Sequence, residues 1–275
     1  MNQTIKIWGH RGCRGDDNPP ENSLDAFQAA IDQGADGVEL DVFLTKDTQL
    51  VVFHDDTLER MTNGTGDITT FTLAELKRLQ LKDTKGILTQ SLIPTLEEVL
   101  NLVGDFRQQN PEEIRAKDFV VNIEIKGARL NQQVAEAIQN RLNNGWSPTN
   151  FQVSAGDIDN LREIKKLRAE TPLGALFWSD KEPWCVTEQQ LAQKLTTIDD
   201  LHPQTVNLSL PSLTQVTINM IRTAGAKPVA WTCQEKNPDR LNPQEREALT
   251  RQLLNSGITT IITDYPQQMR ALLNI

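Results

Sequence analysis

Short apolar runs rich in β-branched and aromatic residues alternate with longer amphipathic stretches along the whole chain. The runs fall at residues 5–9, 37–44, 119–125, 151–154, 173–178, 205–208, 228–231 and 259–263. Between successive runs lies enough chain for a crossover helix, which parallel neighbours require. Amphipathic periodicity predicts those helices at 22–33, 95–108, 131–144, 157–169, 187–200, 213–224 and 243–255, with 266–273 closing the series. Asn22 and Asp157 stand where helix N-caps are wanted, and Gly34, Gly145, Gly225 and Gly257 follow helix ends, where a left-handed residue is favoured. Eight strand–helix repeats predict an α/β fold of the (β/α)8 (TIM) barrel type.

Two stretches depart from the repeat. The run at 50–54 (LVVFH) follows the second strand after only a few polar residues, too few for a parallel crossover. It must return antiparallel as a hairpin folded about 46–48, which sets His54 opposite Leu40 or Asp41. Residues 55–92 are polar and turn-rich, with one short helical piece at 73–79. About forty residues make only a marginal core, so this segment is expected to be an elaborated loop over the barrel mouth, and residues 1–275 one domain.

Composition narrows the partners. At 275 residues and 38% hydrophobic content the chain can bury a large core. Its formal net charge of -9 supplies no field that would gather nucleic acid or an anionic membrane, so an anionic small molecule must meet cations placed locally. The start, MNQTIKIWGH, shows no basic region followed by an apolar stretch, and no apolar run is long enough to span a bilayer as a helix. We expect a cytoplasmic protein without membrane insertion; a homodimer stays open. Cys13, Cys185 and Cys233 are widely spaced, which argues against a disulfide framework or a zinc cluster.

The chemistry concentrates at a few strand ends. Glu39 and Asp41 lie two apart on the second strand, so both leave the same face, while Val38, Leu40 and Val42 take the other. The run VNIEIK repeats this pattern with Asn122, Glu124 and Lys126 on one face. Neighbouring strands of a parallel barrel present their ends at one rim, so Glu39, Asp41 and Glu124 can converge on a hard divalent cation. The bland alternative is a buried network in which Lys126 and nearby arginines pair these acids, but three acids against one in-register lysine leave negative charge over. His10 and Arg11 end the first strand, and the hairpin returns His54 to the level of Asp41. Two imidazoles at one rim can divide proton removal and proton donation near neutral pH.

These residues resemble an ordered motif series. His10-Arg11-Gly12, Pro20-Glu21-Asn22-Ser23, Glu39-Leu40-Asp41-Val42, Thr45-Lys46-Asp47 and Val51-Val52-Phe53-His54-Asp55 are similar to the blocks of the glycerophosphodiester phosphodiesterase family. Ile93-Pro94-Thr95-Leu96-Glu97-Glu98, Asn122-Ile123-Glu124-Ile125-Lys126, Trp231-Thr232 and Thr263-Asp264-Tyr265-Pro266 resemble its later blocks. The resemblance implies Glu39, Asp41 and Glu124 as ligands of Mg2+ or Ca2+, with Mn2+ also acceptable, His10 and His54 as the acid/base pair, and Arg11 as a phosphate contact. It further implies that Lys126 and Asn22 lie in or just behind the first layer around the substrate, and that Trp231 packs against a glycerol moiety; a plain core role for Trp231 fits its strand position equally well. The implied reaction is hydrolysis of a glycerophosphodiester, such as glycerophosphocholine or glycerophosphoethanolamine, to sn-glycerol 3-phosphate and an alcohol. Phe177, Trp178 and Trp184 could wall the alcohol side, with core packing favoured for Phe177. Cys13 has no evident base beside it, and Asp16 and Asp17 match no block. His202 precedes the sixth strand, at the wrong end for catalysis. The rival readings are a related barrel phospholipase acting on lysophospholipids or phosphoinositide headgroups, and a non-catalytic barrel that binds organic phosphates.

Overall fold

The structure, a computed structural model, describes residues 5–15, 18–179, 185–231 and 241–275. Asp16, Asp17, Trp184, Thr232 and Cys233 lie outside the described residues. In chain order the strands are β1 (Lys6–His10), β2 (Gly37–Leu44), β3 (Leu50–Val52), β4 (Gln80–Lys82), β5 (Leu88–Leu92), β6 (Val120–Ile125), β7 (Phe151–Ala155), β8 (Leu173–Leu176), β9 (Thr205–Ser209), β10 (Lys227–Trp231) and β11 (Thr260–Thr263). The helices are α1 (Leu24–Asp32), α2 (Leu73–Leu76), α3 (Leu96–Gln109), α4 (Ile114–Lys117), α5 (Asn131–Asn143), α6 (Ile158–Leu167), α7 (Glu188–Thr196), α8 (Gln215–Thr223), α9 (Pro243–Ser256) and α10 (Pro266–Leu273).

Strands β1, β2, β6, β7, β8, β9, β10 and β11 pair in that order, all parallel, and β11 returns to β1, so the sheet closes into the expected (β/α)8 barrel. The two-residue period of each strand divides its side chains. Val38, Leu40 and Val42 of β2, Val121, Ile123 and Ile125 of β6, and Phe151 and Val153 of β7 join one large apolar cluster with residues of the surrounding helices, among them Phe27, Leu100 and Ile164. The alternate positions cannot join that cluster. Inside the barrel Trp8, Val229 and Ile262 pack together, while further residues in the same alternation are polar and buried, including Asn122, Gln152 and Asn207.

The hairpin forms as the spacing demands. β3 runs antiparallel to β2 with Val42 opposite Val52, and Phe53 N–H donates to Asp41 O at 3.0 Å. Its turn holds together through Thr45, whose Oγ1 accepts from Gln49 N–H, and through Thr48 at φ 62°. Most caps also stand where predicted. Asp157 accepts from Asp159 N–H at the start of α6, and Gly34, Gly145, Gly225 and Gly257 all have positive φ. Asn22 differs from its predicted role. The α1 N-cap is Ser23, whose side chain accepts from Ala26 N–H, while Asn22 sits one residue earlier at φ 57° and sends its amide elsewhere. A hydroxyl caps as well as an amide, which frees Asn22.

The segment after the hairpin holds more structure than its polarity implies. β4 and β5 pair antiparallel, and Leu58, Met61, Ile68, Leu76, Leu81 and Ile93 pack with Phe43, Val51 and Phe53 into a separate buried cluster. Phe43 and Val51 come from β2 and β3, so the excursion is fastened to the hairpin that carries His54. Truncating fully buried Ile68 to alanine is expected to cost about 2–4 kcal/mol in chemical denaturation and to hasten proteolysis within 55–92. Cleavage and stability equal to the parent would show that this packing does not hold the excursion.

Candidate active site

Register explains why the acids meet. β2 and β6 are neighbours with Asp41 beside Glu124 and Glu39 beside Asn122, and β1 places His10 beside Glu39. All three carboxylates are buried, and one ligand oxygen from each lies within 4.8 Å of the others. His10, Arg11, Arg14, Glu39, His54, Asn122, Glu124, Lys126, Trp178 and Trp231 line a single cavity of about 560 Å³ at the C-terminal ends of the strands. The two histidines and two of the acids predicted from sequence therefore share one mouth. Asp41, at 1% exposure, lies behind its lining.

Neighbouring cations answer part of this charge. Lys126 forms an ion pair with Glu124 and lies 3.2 Å from Asp41 Oδ1. Arg11 Nε is 3.5 Å from Asp41 Oδ2, and the Asn22 amide donates to Asp41 Oδ2 at 2.9 Å. Burial would push the Asp41 carboxyl up, yet Lys126, then His54 and Arg11, outweigh it and hold Asp41 below the usual carboxylate range. Reciprocally, burial would lower the Lys126 ammonium, but Glu124 and Asp41 raise it on balance. The internal salt-bridge network foreseen as the bland alternative is thus present at Asp41 and Glu124.

It does not extend to Glu39. Burial, then Asp41 and Glu124, push the Glu39 carboxyl well above its ordinary value, with Arg11 opposing only in part. Its polar contacts are Arg11 N–H at 3.0 Å and His10 Nε2 at 3.9 Å. Asp41 Oδ1, shielded from solvent, accepts no hydrogen bond even though Lys126 is near. A crowded carboxylate, and a buried oxygen met by an ion-pairing ammonium but by no hydrogen bond, are features of a cluster suited to a hard cation with oxygen ligands.

Both imidazoles are oriented by carboxylates. His10 Nδ1 donates to Asp264 Oδ1 at 2.7 Å, and His54 Nδ1 donates to Asp55 Oδ1 at 2.6 Å; a carboxylate can only accept, so each Nδ1 carries the N–H and Nε2 is the ring nitrogen left for proton transfer. Burial lowers the His10 pKa, with Asp264 only partly offsetting it, so the ring is neutral near pH 7. Arg11 is held at φ 51°, a strained conformation outside glycine, with its guanidinium on Glu21 Oε1 at 2.8 Å. Burial lowers the Arg11 pKa, but Glu21, then Asp41 and Glu39, raise it on balance.

The remaining predicted residues divide. Lys126 and Trp231 line the cavity, and Trp231 also packs against the Trp8, Val229 and Ile262 cluster, a position compatible with either role weighed for it. Asn22 is buried at 2% exposure behind Asp41, away from the lining. Trp178 reaches the mouth, where its indole lies so close over Gly156 that a Cβ there would collide with the ring, whereas Phe177 is in the core. His202 is exposed ahead of β9, away from the mouth. Cys13 is buried, its thiol donating to Gln33 Oε1, and burial pushes it up to about 11, which leaves it inert. Asp264, Asp55, Glu21, Arg14 and Arg60 were not assigned roles from sequence. Asp55 adjoins His54 and Asp264 directly follows β11 beside the end of β1, the signals that could have found these two.

A barrel whose C-terminal rim gathers three carboxylates, two carboxylate-oriented imidazoles and several cations has the layout of a barrel enzyme acting on an anion. Residues 10–268 match the model of the glycerophosphoryl diester phosphodiesterase family. The chain belongs to that family. It is 35% identical over 263 residues to a glycerophosphodiester phosphodiesterase of Caldanaerobacter subterraneus subsp. tengcongensis, covering 93% of each chain, and 29% identical to one of Bacillus altitudinis, covering 96% of each. Among solved structures, a phosphodiesterase of Oleispira antarctica in complex with the product sn-glycerol-3-phosphate superposes with a TM-score of 0.73 at 26% identity, over 98% of this chain and 97% of that one. No helix among the described residues is long and apolar enough to cross a membrane.

The raised Glu39 carboxyl has a measurable sign. A carboxyl whose folded pKa exceeds its unfolded value of about 4.3 favours the fold at low pH and loses that contribution as pH rises between the two values. In chelator near pH 7, Glu39→Gln is therefore expected to melt above the parent, with the gap closing as pH falls toward the unfolded value. Millimolar divalent cation should reverse the order, because the parent gains binding free energy that the variant loses. A variant that melts below the parent in chelator contradicts this electrostatic account.

Proposed function

We propose that this chain hydrolyses glycerophosphodiesters, glycerophosphocholine and glycerophosphoethanolamine among them, to sn-glycerol 3-phosphate and the free alcohol in a divalent-cation-dependent reaction, and that residues 1–275 act as one catalytic domain. The observation that carries the proposal is the convergence of Glu39, Asp41 and Glu124 in a cavity that also presents His10, His54, Arg11 and Lys126. The family relationship supports the substrate class.

Glu39, Asp41 and Glu124 would hold the cation, Mg2+, Ca2+ or Mn2+, which when bound supplies positive charge to a non-bridging phosphoryl oxygen and to the attacking hydroxyl. Arg11 and Lys126 offer the donors for the remaining phosphoryl oxygens. His10 and His54 share the two proton transfers through Nε2: the ring that serves as base accepts the nucleophile's proton there, and the ring that serves as acid, already carrying a proton on Nε2, gives it to the departing alkoxide. Asp264 and Asp55 fix the tautomer each ring needs. Asn22 acts through Asp41, holding its carboxylate rather than touching substrate. Trp231, half-buried at the lip, offers an apolar face to the glycerol.

Alanine at His10 or His54 is expected to lower turnover by roughly 100-fold or more while cation affinity stays close to the parent's. Glu124→Gln should weaken the cation first, raising the concentration needed for half-maximal activity about 10- to 100-fold, by analogy with losses at groups that support metal sites. Release of glycerol 3-phosphate from glycerophosphocholine, followed with and without chelator, checks both. Near-parental turnover in a His10→Ala/His54→Ala double variant would remove the acid/base assignment, and chelator-insensitive turnover would remove the metal.

A further inference from the structure

We infer that Arg60, a residue of the excursion outside the barrel, is a positioning residue that holds His54 and Arg11 in one frame. The inference rests on the acid/base role of His54 and the phosphate-binding role of Arg11 proposed above.

The contacts run in an unbroken line across the mouth. Arg60 grips Asp55 with two donors, Nε to Oδ2 at 2.5 Å and Nη2 to Oδ1 at 2.9 Å. The same Nη2 reaches Glu21 Oε1 at 2.7 Å, and Nη1 reaches Glu21 Oε2 at 3.2 Å. Each of these carboxylates has its other business in the active site: Asp55 Oδ1 accepts from His54 Nδ1 at 2.6 Å, and Glu21 Oε1 accepts from Arg11 Nη1 at 2.8 Å. A single nitrogen, Arg60 Nη2, therefore touches both the oxygen that orients the imidazole and the oxygen that orients the guanidinium. Its neighbours have different origins. Arg11 and Glu21 belong to the loop after β1, His54 and Asp55 to the end of the hairpin. Barrel strand β2 holds the two backbones, Arg11 through Glu39 and the hairpin through Asp41, but the side chains of His54 and Arg11 are linked to each other through Asp55, Arg60 and Glu21.

The chemistry of the side chain suits this task. A planar guanidinium has five donors in a fixed fork and can grip Asp55 with two of them while it reaches Glu21 with others; an ammonium is a single point charge without that bidentate fit. Burial would raise the Glu21 carboxyl, but Arg11, then Arg60 and Arg14, hold it well below its ordinary value, so it stays an acceptor for both arginines. Arg60 contributes little to the fold by comparison. Its side chain is 45% exposed, pairs at such sites contribute little net stability, and the excursion is already anchored by its own apolar cluster. Loss of Arg60 should therefore register in catalysis while the melting temperature barely moves.

The test uses the purified full chain, glycerophosphocholine as substrate and Mg2+, Ca2+ or Mn2+, whichever supports the parent's turnover. Arg60→Met and Arg60→Lys are expected to lower kcat/KM about 100-fold, the scale of a misplacement near 1 Å, with kcat reduced through His54 and KM raised through Arg11. Asp55→Asn should move kcat alone and Glu21→Gln mainly KM, and combining either with Arg60→Met should add little. Millimolar ethylguanidinium should restore part of the activity of Arg60→Met, an effect a purely structural role would not show. Parental kcat and KM in Arg60→Met, alongside an inactive His54→Gln, would overturn the inference and leave the site reading standing. A fully active His54→Gln would overturn the site reading and this inference with it. Should Arg60→Met fail to fold, Arg60→Lys decides: retained parental kcat and KM overturn the inference, and their loss in a folded protein supports it.

Discussion

Three carboxylates forced together inside a barrel are the constraint from which the rest of the site follows. Val38, Leu40 and Val42 must face the helices to build the core, and the period of a strand then sends Glu39 and Asp41 inward. β6 repeats the pattern one strand over, in register, so Glu124 arrives beside Asp41. Desolvating such groups without positive charge costs several kcal/mol for each ion. Lys126 and Arg11 offset that cost at Asp41 and Glu124; Glu39 carries what remains, visible as its raised carboxyl. The mouth is poised to accept a cation because its own cations do not suffice.

Around that centre the fold supplies the proposed acid/base pair from two sources. His10 is the last residue of β1, placed by the barrel itself, and Asp264 directly after β11 meets it because those strands are neighbours. His54 comes from a hairpin added to the edge of β2, and its position depends on packing outside the barrel and on the ion pairs behind it. The excursion after the hairpin is thus a support for the site as well as a decoration of the rim.

The barrel was legible because each strand and helix carries its own period, and the convergence of the acids followed from that period alone. His54 was legible because five polar residues cannot make a crossover. What escaped were contacts without a local signature: Asp264 reaches His10 across 254 positions of sequence and Arg60 reaches Glu21 across 39, and neither has a periodicity to betray it. Asn22 was misplaced as a cap because Ser23, equally able to cap, stands beside it. The β4–β5 hairpin was missed because its strands are short and β5 is half-exposed. Some motif residues have structural work instead. Thr95 and Glu98 form the capping box that starts α3, and Thr45 with Asp47 stabilises the hairpin turn and receives Leu73 N–H.

The central claim is that the side chains of Glu39, Asp41 and Glu124 enclose one divalent cation within reach of both imidazoles. A crystal grown with Mn2+ and measured at its absorption edge tests this most directly. The account predicts one strong anomalous peak bounded by those three carboxylates at about 2.0–2.3 Å, absent from crystals of a Glu39→Gln/Glu124→Gln variant. A mouth without a peak at millimolar Mn2+, with Lys126 still filling the space between Asp41 and Glu124, would contradict it.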